Sequence, residues 1–123
     1  MRAGDLYAAL RKARILDIDL LLIEDVSSLI GDFHRVGQHA TVGMFSVATG
    51  DDKPAKYPDV VEWSDLLLLN KIDLLPHTPF NLDAFRESVL ATKPDAAILP
   101  ISTPSGSAKM AIGPCLDTAR IGW

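Results

Sequence analysis

Residues 66–73 combine an apolar run with a polar ending, because four leucines are followed by Asn70, Lys71, Ile72 and Asp73. The carboxylate of Asp73 offers two acceptor oxygens side by side, which suits a partner with two adjacent N–H donors on one edge. Guanine has such an edge and adenine does not. We expect Asn70 to hold neighbouring loops and offer its amide toward the base edge, and the aliphatic stem of Lys71 to lie along the purine face. The segment is therefore predicted to select guanine.

The leucine run determines where these polar side chains would point. Ligands of open α/β sheets bind beyond the carboxyl ends of the strands, and a short buried strand before the motif would place the motif there. The alternative interpretation is a solvated turn between a strand and a helix, which uses similar residue types.

Composition and charge restrict the class of protein. A chain of 123 residues with 48% hydrophobic composition predicts one domain with one core. A net charge of −4 and a pI near 5.2 argue against nucleic acid or an acidic membrane surface as a partner. The single cysteine, Cys115, fits a reducing compartment, and the apolar runs are too short for a membrane span. We expect a soluble cytoplasmic protein whose partners are small molecules or proteins.

The chain alternates between strand and helix patterns. Apolar residues at helical spacing predict a first helix that begins near Asp5, and Pro58 predicts a short helix over residues 59–63. A further helix has Leu82, Phe85 and Val89 on one face, with Asn81 as its cap. The predicted strands are 19–24, 41–48, 65–69 and 97–101, with an exit turn at 49–52.

Strands that alternate with helices at this spacing predict an α/β fold with a doubly wound, mostly parallel sheet. We expect residues 1–123 to form a single domain with a divergent tail from about residue 107. Gly113 and Pro114 would break the helix that begins near Ala108.

Four segments resemble a known family. Residues 20–29 are similar to the family's strand and its following Glu-Asn-Val-Gly-Asn-Leu, and residues 46–58 resemble its Ser-Val-Thr-Glu-Gly-Asp-Asp-Lys-Pro-Leu-Lys-Tyr-Pro. Residues 70–76 match its guanine motif, and residues 100–102 look like the start of its Pro-Val-Ser-Ala-Lys loop. The family is that of the hydrogenase nickel-incorporation GTPases, the HypB family, related to the urease nickel-delivery GTPases.

The resemblance implies a partial P-loop GTPase-like domain that binds GTP or GDP with Mg²⁺. It implies guanine selection by Asn70, Lys71, Asp73 and Ser102, and a carboxylate near magnesium at Glu24. Glu24 also fits a second interpretation as a solvated turn residue. The implied partners are hydrogenase maturation proteins, and the implied assembly is a homodimer that delivers nickel.

Several family features are absent from this sequence. There is no Gly-x-x-x-x-Gly-Lys-Ser/Thr, and no lysine follows a glycine, so the phosphate-binding loop is missing. We therefore expect the chain to begin inside the family domain and not to hydrolyse GTP alone. Ser27 replaces a glycine of the acidic loop, and Pro104 lies in the second base-contacting loop.

The family's zinc or nickel site is also altered. Gly31 stands where relatives carry a metal-binding cysteine, so the ligands of that site are not kept. His34, His39 and Cys115 make no recognisable metal pattern by spacing, and we expect them to be solvated or packed side chains.

Three functions remain open from the sequence. The first is the base-reading half of a nickel-incorporation GTPase, and the second is a non-catalytic relative that acts through protein contacts. The third, an unrelated doubly wound domain such as a phospho-acceptor receiver, would leave residues 51–54 and 70–73 unexplained. A sheet that lacks its first strand would expose apolar edge surface, which predicts oligomerisation or poor solubility.

Overall fold

The computed structural model describes residues 3–12, 18–24 and 37–102. The chain divides into two compact units, Met1–Gln38 and His39–Trp123, and each is described by itself. In the first unit, helix α1 spans Ala3–Lys12, which confirms the predicted first helix. Three positions at which the sequence differs from the family pattern, Ser27, Gly31 and Pro104, lie outside the described residues. His34, Cys115 and the tail from about residue 107 also lie outside them.

The prediction of a strand over residues 19–24 is wrong. No strand is formed there, and Leu20, Leu21 and Leu22 are exposed, with Leu22 at 79% of its full accessibility. A strand exists only where a second strand accepts its hydrogen bonds. The strand pairings among the described residues all lie in the second unit. An apolar run predicts burial from composition, but it cannot specify the partner that would bury it.

The second unit is built on a three-stranded parallel sheet, which confirms the α/β class. Strand β1 spans Val42–Ser46, β2 spans Leu66–Asn70 and β3 spans Ile98–Pro100, in the spatial order β1-β2-β3. In the register, Ser46 faces Asn70 and Leu68 faces Leu99. The four leucines of β2 are buried because this central strand has neighbours on both edges and side-chain packing on both faces.

The chain after β1 turns earlier than the sequence predicts. A strand was expected through residue 48, but Val47–Thr49 form a first 3-10 helix. The hydroxyl of Ser46 accepts a hydrogen bond from the Ala48 N–H at 3.2 Å, and the Thr49 hydroxyl donates to the Ser46 carbonyl at 2.9 Å. These local side-chain bonds offer the backbone an alternative to the sheet ladder, so the strand ends at Ser46.

The helices of the second unit largely follow the sequence pattern. Helix α3 spans Pro58–Trp63 and begins at the proline, as predicted. Helix α4 spans Leu82–Thr92, and the side chain of Asn81 accepts the Ala84 N–H at 3.0 Å, which confirms the predicted cap. Two short elements were not predicted: α2 over Lys53–Lys56 and a second 3-10 helix over Ile72–His77.

One face of the sheet packs against the helices. Phe45 of β1 meets the fully buried Phe85 of α4 edge to face, with ring centroids 5.6 Å apart. Burial of one such side chain is worth about 1.5–3 kcal/mol. Gly43 leaves room for α3 and its C-terminal end, because a Cβ there would lie 3.2 Å from Val60 of α3 and would collide with the Ser64 hydroxyl and the Leu67 side chain.

The opposite face carries a second buried cluster. Leu66, Leu68 and Ile101 form it, with Leu99 packed beside them. On the helix side, Val60 and Val61 are the buried residues of α3, whereas Trp63, its last residue, is 43% exposed.

In the part of the chain that the structure describes, no helix has the length and apolarity that a membrane crossing would need.

Candidate functional site

The Asn-Lys-x-Asp segment lies at the carboxyl end of the central strand. Asn70 is the last residue of β2, and Asp73 lies in the first turn of the second 3-10 helix. Between them, Lys71 has a left-handed backbone with φ of 61° and ψ of 39°, an uncommon conformation for a residue with a side chain. The side-chain oxygen of Asn70 accepts the Lys71 N–H at 2.8 Å. This bond stabilises the sharp turn from the strand into the 3-10 helix.

Ser102 reaches the same place from the neighbouring strand. Its hydroxyl donates a hydrogen bond to Oδ1 of Asp73 at 2.8 Å, although 29 residues separate the two in sequence. Ser102 is buried at 3% exposure, whereas Asp73 is exposed. A buried donor therefore holds one oxygen of a carboxylate that remains accessible to a ligand.

Backbone hydrogen bonds connect the two strand ends on either side of this contact. The Ile101 N–H donates to the Leu69 carbonyl at 2.9 Å, and the Ile72 N–H donates to the Ile101 carbonyl at 3.3 Å. The Leu74 N–H donates to the Lys71 carbonyl at 3.0 Å, which closes the first turn of the 3-10 helix. The parallel sheet thus brings four of the five predicted site residues together: Asn70, Lys71, Asp73 and Ser102.

Their burial is graded in a way that suits a binding surface. Ser102 is buried, Asn70 is half-buried, and Lys71 and Asp73 are exposed. The arrangement offers a carboxylate with free lone pairs next to a long aliphatic stem. Such a surface can accept two N–H donors from a flat ring and cover one side of that ring.

Glu24, the fifth predicted site residue, belongs to the first unit, where its side chain is exposed. Of the residues that relate to the predicted metal chemistry, His39 is also described, and it is exposed. Within residues 3–12, 18–24 and 37–102, no three His, Cys, Asp or Glu side chains come together in a way that could hold a metal ion.

Asp51 makes a contact that the sequence analysis missed. Its Oδ2 accepts the backbone N–H of Asn81 at 2.7 Å, across 30 residues of sequence. This bond links the turn after β1 to the start of α4. The sequence pattern assigns Asp51 only to an exit turn. The sequence indicates this contact only weakly, because acidic turn residues and helix starts are both common. No short-range pattern connects this aspartate to that helix start.

The next residue, Asp52, pairs with Lys56 one helical turn later. Their side chains are 2.6 Å apart and about half exposed. The hydrogen bond that Lys56 donates holds the pKa of Asp52 below its usual value and raises the pKa of Lys56 above its own. Asp52 also borders Gly50, whose φ of 103° favours glycine and whose added Cβ would lie 2.8 Å from Oδ1 of Asp52.

A parallel sheet with polar side chains at the carboxyl ends of β2 and β3 belongs to the α/β class whose ligands bind at those ends. The chain belongs to the family described as CobW/HypB/UreG, nucleotide-binding domain, whose model matches residues 5–100.

Among curated proteins, the chain is similar to hydrogenase maturation factor HypB. It is 41% identical to the Azotobacter chroococcum protein, over 74% of this chain and 30% of that protein. It is 37% identical to the Escherichia coli K12 protein, over 73% and 31% respectively. The chain thus spans about a third of the length of these relatives.

Solved structures of HypB share the fold of this chain. The Archaeoglobus fulgidus structure aligns with a TM-score of 0.75 and 31% identity, over 85% of this chain and 51% of that chain. The Helicobacter pylori structure, a complex with nickel, aligns with a TM-score of 0.79 and 26% identity, over 95% and 56% respectively.

Proposed function

We propose that this chain binds a guanine nucleotide as the base-reading part of a hydrogenase maturation GTPase. The observation that carries the proposal is the hydrogen bond from buried Ser102 to exposed Asp73 at the end of the sheet. The chain also belongs to a family whose model is a nucleotide-binding domain, and this supports the same function.

Asp73 is the residue that would distinguish guanine from adenine. Each carboxylate oxygen has two lone pairs, so Oδ1 can accept the Ser102 hydroxyl and still accept an N–H from the base. Oδ2 would accept the second N–H of the guanine edge. Adenine presents no such pair of donors, and a carboxylate brought against it would lose solvation without gaining hydrogen bonds.

Lys71 and Asn70 would complete the base site. The exposed stem of Lys71 is proposed to cover the purine face, and its left-handed backbone supports this by directing the chain sharply out of β2. The Asn70 oxygen already accepts the Lys71 N–H, so its NH₂ group remains as a donor toward the base or a nearby loop.

GTP hydrolysis, magnesium binding and nickel delivery are proposals for the whole protein. Phosphoryl transfer in this class depends on a phosphate loop and Mg²⁺, and no phosphate-loop motif occurs among these 123 residues. Glu24 is the carboxylate proposed for magnesium. Among the described residues, no three His, Cys, Asp or Glu side chains come together as metal ligands, and we propose no nickel ligand there. We propose that the partners of the whole protein are hydrogenase maturation proteins and a second copy of the chain, and that it acts in the cytoplasm.

A competition titration tests the proposal. The purified chain is titrated with a fluorescent GDP analogue in magnesium buffer, and the bound analogue is displaced with unlabelled GDP or ADP. We expect displacement by GDP and not by ADP. Displacement by both nucleotides alike, or no binding up to about 1 mM protein, which corresponds to about −4 kcal/mol, would contradict guanine selection.

A non-catalytic role through protein contacts is the second candidate. It is favoured by Ser27, Gly31 and Pro104, which stand at three positions where relatives carry other residues. A chain that is folded but binds neither nucleotide would support this second function over the first.

A further inference from the structure

Residues 71–81 connect β2 to α4 and include Asp73, and both ends of this connection are held. At its start, Ile72 is bound to the Ile101 carbonyl and Asp73 to the Ser102 hydroxyl. At its end, the Asn81 N–H is bound to the carboxylate of Asp51. One anchor therefore follows β3, and the other lies in the turn after the first 3-10 helix.

The second anchor belongs to the segment 50–54, which the guanine site does not otherwise use. Within that segment, Gly50 provides a turn that side chains disfavour, and Asp52 pairs with Lys56. Pro54 is fully buried at the start of α2, which packs against α4. These contacts lie on both sides of Asp51 and support the position from which its carboxylate accepts the Asn81 N–H.

Packing contacts connect the region around Asp51 to the guanine site. The first 3-10 helix, which directly precedes Gly50, packs against the second 3-10 helix, which contains Asp73. Phe80 packs against Phe85 with ring centroids 5.6 Å apart, which supplies an apolar contact at the same end of the connection. That apolar contact has little directionality, whereas the bond from Asn81 to Asp51 fixes a position.

We propose that Asp51 is a positioning residue for the guanine site: by holding the Asn81 N–H, it fixes the far end of residues 71–81 and thereby the placement of Asp73. This inference rests on the proposed function. Binding groups work when neighbouring contacts hold them to within about 0.5 Å, and a bidentate contact to two N–H donors is especially sensitive to such displacement. Asp51 acts through the backbone and does not touch the base.

A merely structural role for Asp51 makes a different prediction. A carboxylate near the start of a helix also stabilises that helix through its dipole. Loss of that effect alone would lower the stability of the fold and leave the geometry of the folded guanine site unchanged. The two roles are separated by measurements that respond to geometry and local opening near Asp73.

The experiment compares three variants with the original chain. Asp51→Ala removes the acceptor, whereas Asp51→Asn keeps a side-chain oxygen that can accept the Asn81 N–H. Lys93→Met is the matched control, because it removes the 2.6 Å hydrogen bond from Lys93 to the Ser64 carbonyl at the other end of α4. Urea unfolding of all variants shows that they are folded and measures their loss of stability.

The first readout needs no nucleotide. Amide hydrogen exchange, measured by NMR, follows the Ile72 and Leu74 N–H groups that hold the start of the connection. We expect Asp51→Ala to accelerate their exchange by about tenfold, the equivalent of one ordinary hydrogen bond. Asp51→Asn and Lys93→Met should stay close to the original chain. Unchanged exchange in Asp51→Ala, or equal acceleration in Lys93→Met, overturns the proposal.

The second readout is the ratio of GDP affinity to IDP affinity. Inosine lacks the 2-amino group, so this ratio reports how well the second oxygen of Asp73 is aimed at the base. We expect the ratio to fall in Asp51→Ala and to be retained in Lys93→Met. A ratio unchanged in Asp51→Ala overturns the positioning role. If the original chain binds neither nucleotide, the proposed function fails, and the exchange rates alone decide whether Asp51 anchors the connection.

Discussion

The hydroxyl of Ser102 donates to the carboxylate of Asp73 at 2.8 Å, and this contact joins the ends of two parallel strands. Ser102 follows β3 and Asp73 follows β2, so the contact depends on the pairing of these strands. It fixes one oxygen of an exposed carboxylate by means of a buried donor.

Ser102→Ala should weaken guanine-nucleotide binding. The alanine leaves Oδ1 of Asp73 without its internal donor, so the carboxylate is free to rotate away from the base. We expect a loss of about 5- to 10-fold in GDP affinity, which corresponds to one hydrogen bond. Thr92→Val, which removes a hydroxyl hydrogen bond at the end of α4, is the control in the same competition titration. Equal affinity losses in both variants would contradict a specific role for Ser102.

The left-handed backbone of Lys71 predicts an unusual response to substitution. Glycine adopts φ of 61° without steric cost, whereas a β-branched residue does not. Lys71→Val should therefore be less stable than Lys71→Gly by about 1–2 kcal/mol, measured as the free energy of unfolding in urea. Lys71 is exposed, so lost packing contributes little to this comparison. A valine variant as stable as the glycine variant would show that this turn is not left-handed.

Gly43→Ala should destabilise the sheet unit. The added methyl group would meet the side chains of Ser64, Leu67 and Val60, and these packed groups must shift to admit it. We expect a loss of about 1–3 kcal/mol, the usual cost of overpacking a core. Met44→Ala on the same strand is the control, because Met44 is 58% exposed. The result would be contradicted if the urea midpoint of Gly43→Ala matched that of Met44→Ala.

The ion pair between Asp52 and Lys56 predicts a pH dependence with a definite sign. The folded pKa of Asp52 is lowered, so its contribution to stability is present above the unfolded value of about 3.9 and is lost as the pH falls further. The folded pKa of Lys56 is raised, so its contribution is lost as the pH rises beyond about 10.4.

Lys56→Met measures this contribution. The stability difference between this variant and the original chain should be constant from about pH 6 to pH 9 and should shrink below about pH 4. Urea unfolding across this range provides the measurement, and it is made at low salt because both groups are exposed to screening. A difference that grows on acidification would refute the assigned pairing.

Local patterns predicted the elements that depend on local rules. The four leucines of β2, the proline that starts α3 and the Asn81 cap of α4 all lie where the sequence indicates. Each reflects a preference that neighbouring residues decide, such as the fixed φ of proline or a side chain that accepts the N–H three residues later. The α/β class followed from the alternation of these elements.

Features that depend on distant partners were not predictable in the same way. Residues 19–24 have the composition of a buried strand, but composition does not supply the neighbouring strand. The bond from Asn81 to Asp51 spans 30 residues and involves a backbone donor that any sequence would provide. The residues of the guanine motif were recognisable as a set, whereas the bond from Ser102 to Asp73 required the register of the sheet.

Asp73 is the residue proposed to read the guanine edge, and a change of nucleotide specificity is the sharpest test of that role. Affinities for GDP and xanthosine diphosphate are measured for the original chain and for Asp73→Asn. Xanthine carries a carbonyl oxygen where guanine has its 2-amino group, so an asparagine NH₂ can donate to it while Oδ1 accepts the ring N–H. We expect Asp73→Asn to lose about 10- to 100-fold in GDP affinity and to gain affinity for xanthosine diphosphate. An Asp73→Asn variant that binds GDP as tightly as the original chain would show that Asp73 does not read the base.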